Sequence, residues 1–83
     1  MKIFVLTAIN IKDVDNRNIS YDVNLYTDYE DAQKEMERTY LALCPKFGIA
    51  LEDAYDDTTE YGIYEYYAFI EGAYYFEIFE KEI

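Results

Sequence analysis

The chain has 83 residues, a formal net charge of −11, no histidine, one cysteine, eleven tyrosines and five phenylalanines. A chain of that length forms one small domain that buries roughly 60 to 65% of its unfolded surface, and its apolar share of 52% is too high for a disordered segment. The charge disfavours direct binding to DNA, RNA or an anionic membrane, because phosphates would be repelled.

The lone Cys44 excludes an intrachain disulfide and points to no oxidising compartment. With no histidine to activate it, it reads as a small apolar residue. The amino-terminal MKIFVLTAINIK lacks a small-residue cleavage pattern, so it reads as a strand and not as a signal peptide. No apolar run reaches membrane-spanning length, and the expected location is cytoplasmic.

Lys2 to Ile11 is apolar at nearly every position, as suits a central strand partly covered on both faces. Lys12 to Asn18 is polar and reads as a loop. Asp13 and Asp15 sit at the first and third places of a calcium loop. Arg17, Asn18 and Asn24 then stand where an acidic or amide ligand, the turn glycine and the bidentate glutamate belong, so no metal site is expected.

Ile19 to Tyr26 alternates, with Tyr21, Val23 and Leu25 set against Asp22 and Asn24, and is predicted to be a half-exposed strand antiparallel to the first. A helix follows. Thr27 and Glu30 have capping-box spacing, and Tyr29, Ala32, Met36, Tyr40 and Leu43 form the stripe that must lie on the sheet. Pro45 is expected to end the helix and to disfavour helical geometry at Cys44. Between Lys46 and Glu60 the spacing of Phe47, Leu51, Ala54 and Tyr55 allows a short helical turn, and Asp53, Asp56, Asp57 and Glu60 read as a solvated acidic link.

The last quarter, YGIYEYYAFIEGAYYFEIFEKEI, has two aromatic-rich runs around Glu71-Gly72, the pattern of a tight hairpin. A two-residue loop there pairs Ile70 with Ala73. It sets Ile63, Glu65, Tyr67 and Phe69 opposite Tyr74, Phe76, Ile78 and Glu80 on the side expected to form the core, and Tyr64, Tyr66, Ala68 and Ile70 opposite Ala73, Tyr75, Glu77 and Phe79 on the other face. A three-residue loop would change that pairing.

The fold expected is a single α+β domain over residues 1–83, in the order β-β-α-β-β, with a four-stranded antiparallel sheet and one helix on one face. The other face has no cover, and Tyr64, Tyr66, Tyr75 and Phe79 would project from it.

Charge is uneven along the chain: residues 1–51 carry a balance of −2 and residues 52–83 a balance of −9. No nucleophile–base pair, phosphate loop or cofactor motif is present, so an enzyme is not expected and no cofactor is implied. The expected role is an interaction module that uses Tyr64, Tyr66, Tyr75, Glu77, Phe79, Glu80 and Glu82. Its partner would be a basic protein, contacted in the sharpest case through acids spaced like nucleic-acid phosphates. The alternative is a homodimer through the exposed aromatic face, and a third reading makes the acidity a solubility feature only.

Overall fold

A computed structural model describes residues 1–11 and 20–83. The loop residues Asp13, Asp15, Arg17 and Asn18 lie outside the described residues. Strand β1 (Lys2–Asn10) pairs with β2 (Ser20–Tyr26), helix α1 (Tyr29–Leu43) follows, and β3 (Tyr61–Ile63), β4 (Tyr67–Ile70) and β5 (Tyr74–Glu82) close the chain. All pairings are antiparallel, in the order β2-β1-β5-β4-β3. The fold class is α+β as expected, but the sheet has five strands and not four, and three strands follow the helix instead of two.

The fifth strand arises because the run from Ile63 to Ile70 is broken by a two-residue turn. Ile63 pairs with Ala68, the Tyr64 amide donates to the Tyr67 carbonyl at 2.7 Å, and Glu65 and Tyr66 form the corner. Neither corner residue is Gly, Asn, Asp or Pro, so the usual chemical signal of a turn is missing.

The hairpin at Glu71-Gly72 has a three-residue loop and not the two-residue loop expected. Ile70 pairs with Tyr74, the Ala73 amide donates to the Ile70 carbonyl at 2.9 Å, and Gly72 takes φ +74°. This is the loop in which glycine supplies the left-handed residue of a bulge. The extra residue shifts β4 by one position against β5. Ala68 and Ile70, expected on the open face, are therefore buried, while Tyr67 and Phe69, expected in the core, face away from the helix. On β5 the expectation holds: Phe76 and Ile78 are buried, and Tyr75, Glu77 and Phe79 are exposed.

Helix α1 lies on the face built by Leu6, Ala68, Ile70, Phe76 and Ile78, and its stripe Ala32, Met36 and Tyr40 is fully buried there. The capping box does not form: the N-cap is Asp28, with no side-chain cap bond, and the helix starts at Tyr29. Pro45 behaves differently from expectation too. Cys44 keeps right-handed helical geometry, and a 3-10 turn, Cys44–Phe47, continues from the helix to Gly48 at φ +78°. A proline near the start of a new helical turn removes only an amide that has no partner there, so the chain tightens rather than breaks. A second 3-10 turn, Leu51–Asp53, leads to the buried Ala54.

Among the described residues no helix is long and apolar enough to cross a membrane.

Candidate interaction face

The pairing registers fix which side chains share the face turned away from α1. Three cross-strand rows follow directly: Leu25, Val5 and Phe79; then Val23, Thr7, Glu77 and Tyr67; then Tyr21, Ile9, Tyr75 and Phe69. Ile3 and Lys81 make a fourth.

Strand β2 is the informative one. Its apolar side chains Tyr21, Val23 and Leu25 are 56%, 49% and 65% exposed, because their side of the strand is the one without a helix. Its polar residues Asp22 and Asn24 take the helix side, at the sheet edge, where they remain in solvent. Burial within the chain would favour the opposite assignment. Phe79, at the middle of the central strand, is 47% exposed.

The residues predicted for the interaction surface are divided. Tyr75, Glu77 and Phe79 lie on this face; Tyr75 stacks on Phe69 with centroids 6.5 Å apart, and its hydroxyl donates to Glu71 at 3.4 Å. Tyr64 lies at the β3 edge, stacked on Tyr67 at 4.6 Å and donating to the Asp57 carboxylate at 2.5 Å. That bond, with burial and the Asp57 charge, pushes its pKa up to about 12. Tyr66 sits in the β3–β4 turn, its ring 5.1 Å from that of Tyr29, which in turn meets Phe4 on the helix side. Glu80 and Glu82 have the parity of the helix side, where Glu80 pairs with Lys2 at 3.2 Å and Glu82 with the terminal amine at 3.3 Å. They form no array with Glu77.

The sequence assigns Tyr67 and Phe69 to the core, and leaves Tyr21, Val23 and Leu25 outside the expected interaction surface. The alternation of β2 is visible there, but a period of two separates faces without saying which is covered.

Glu77 and Lys81 are the two charged side chains in these rows, and neither has an ion-pair partner among the described residues. Beside Glu77 the face is dented. A depression of about 260 Å³ is lined by Thr7, Ile9, Tyr67, Tyr75 and Glu77, with the largely buried Thr7 at its floor. The Thr7 hydroxyl donates inward to the Glu77 carbonyl at 3.3 Å, so the floor is polar but satisfied.

Elsewhere, a larger depression of about 430 Å³ lies between the 3-10 segments and the β4–β5 turn, rimmed by Asp53, Glu60 and Glu71. No three or more His, Cys, Asp or Glu side chains converge on a metal-binding point among the described residues. Cys44 is buried, and loss of hydration pushes its thiol pKa up, the reverse of what a nucleophile needs. Comparison with protein-family models, with curated proteins and with solved structures returned no match.

Proposed function

We propose that the protein is a non-enzymatic interaction module whose docking surface is the open face of the sheet. What carries this reading is the inverted amphipathicity of β2: Tyr21, Val23 and Leu25 lie on the uncovered side, in register with Val5, Ile9 and Phe79. A contiguous apolar face is the signature of a contact surface, and single scattered apolar residues are not. Phosphate mimicry draws less support. The acids that would form the array lie on opposite sides of β5, and Glu80 and Glu82 are already paired with cations.

Nile red tests this reading. The dye is uncharged, so the acidic surface does not repel it. Dilute protein is expected to enhance its emission, and Leu25→Glu or Phe79→Glu to abolish the enhancement. Both side chains stand outside the core, so unfolding free energy should change by only about 0.5 kcal/mol. Equal dye binding by the parent and both variants would overturn the proposal.

A further inference from the structure

Resting on that reading, we infer that the occupant of the open face is a second copy of this chain, related by a two-fold axis that crosses the strands along the row Leu25, Val5 and Phe79.

The two charges on the face carry this inference. Glu77 and Lys81 flank Phe79 at equal spacing on β5, with the same parity. Four residues along one strand separate them by roughly 13 Å, too far to pair within a chain. A face-to-face dimer with its axis through Phe79 runs the two copies of β5 antiparallel. Each Glu77 then stands over Lys81 of the other copy, twice by symmetry, as an isologous contact requires. An axis along the strands would set Glu77 over Glu77, and one through Glu77 would do the same. The charges thus select one orientation.

The apolar residues agree with it. On β1 the same axis passes through Val5, so Ile3 meets Thr7 of the other copy, and the dent beside Glu77 receives the lysine stem over Tyr67 and Tyr75. Met1 and Ile83, both exposed and joined by a 2.8 Å hydrogen bond from the Ile83 amide, extend the two strands and the alternation by one further row. Val5 is then the midpoint of positions 1 to 9, and Phe79 the midpoint of positions 75 to 83, so β1 and β5 of the two copies overlap fully.

Size suits a weak dimer. With strands about 4.8 Å apart and about 3.3 Å of rise per residue, β1, β5 and the end of β2 overlap over roughly 330 Å² in plane. Two such faces remove on the order of 700 Å² or more from water, the scale of a reversible association seen at high concentration. The helices and the acidic segment from Glu52 to Glu60 lie on the outer sides of such a pair. Their repulsion is long-ranged and screened by salt, so the dimer is expected to tighten as salt rises. A basic partner on this face would show the reverse dependence.

The test is sedimentation equilibrium of the full chain from low micromolar to millimolar concentration, with charge exchange. The parent is expected to approach twice the chain mass. Glu77→Lys alone and Lys81→Glu alone each place like charges in contact and should weaken association about tenfold or more. An equimolar mixture of the two variants restores both pairs and should associate like the parent. Variants that dimerise as well as the parent, or a mixture that fails to recover, overturn the two-fold arrangement. A parent that stays monomeric throughout also overturns it. If that monomer still binds Nile red in a manner lost in Phe79→Glu, docking survives with a different occupant; if it does not, both fail.

Discussion

The Tyr40 hydroxyl, fully buried beneath the sheet, donates a 2.8 Å hydrogen bond to the carbonyl of Ala54, tying helix α1 to the irregular segment that leads into β3. Tyr40 buries its ring in the core and spends its polar tip on a backbone acceptor that has no strand to pair with. Burial drives its pKa well above the ordinary tyrosine range, so the donor stays protonated.

Tyr40→Phe keeps the ring and orphans the Ala54 carbonyl. The expected loss is about 1 to 2 kcal/mol of unfolding free energy, read from denaturant melts. A variant as stable as the parent would mean that the segment carries no such tie.

Tyr64 gives a pH signature. Its pKa is raised from 10.0 to about 12, first by its bond to the Asp57 carboxylate. A group whose folded pKa exceeds its unfolded value contributes stability that is complete below the unfolded pKa and lost as pH rises through the folded one. The stability difference between the parent and Tyr64→Phe should therefore be constant at neutral pH and shrink between pH 10 and about 12. Denaturant midpoints stepped through that window check it; a difference that persists to the top of the window contradicts it.

Two glycines matter for different reasons. At Gly72 the φ of +74° strains any L side chain, and Gly72→Ala is expected to cost about 1 kcal/mol with the face unchanged. At Gly62 an added Cβ would come within 2.9 Å of the Tyr64 ring. The ring must then swing away from Tyr67 and Asp57. Gly62→Ala should return the Tyr64 pKa toward 10.0, measured on its ring carbon by NMR. An unshifted Tyr64 would show that the ring has another way to hold its place.

The helix stripe Ala32, Met36 and Tyr40 is legible in the sequence because a period near 3.6 marks one face, and only one face of a surface helix is buried. The parity of β5 is legible for a related reason: Glu77 stands between Phe76 and Ile78 on the other parity, and a glutamate is not buried unpaired. The parity of β4 is not, since every position from Tyr66 to Ile70 is apolar and one loop residue decides the facing. The turn at Glu65 and Tyr66 carries no turn chemistry, so the fifth strand is hidden. As for the candidate face, Tyr75, Glu77 and Phe79 are found from the sequence. The contribution of β2 is not, because its facing depends on which side the helix packs.

The most direct test of the open face is methyl NMR with a soluble paramagnetic agent, comparing dilute and concentrated protein. The Leu25 methyls should be strongly relaxed when dilute and protected when concentrated, while Met36 and Ile78 stay protected throughout. Leu25 methyls that are shielded even in dilute solution, or equally relaxed at every concentration, would contradict a face kept open for a second copy.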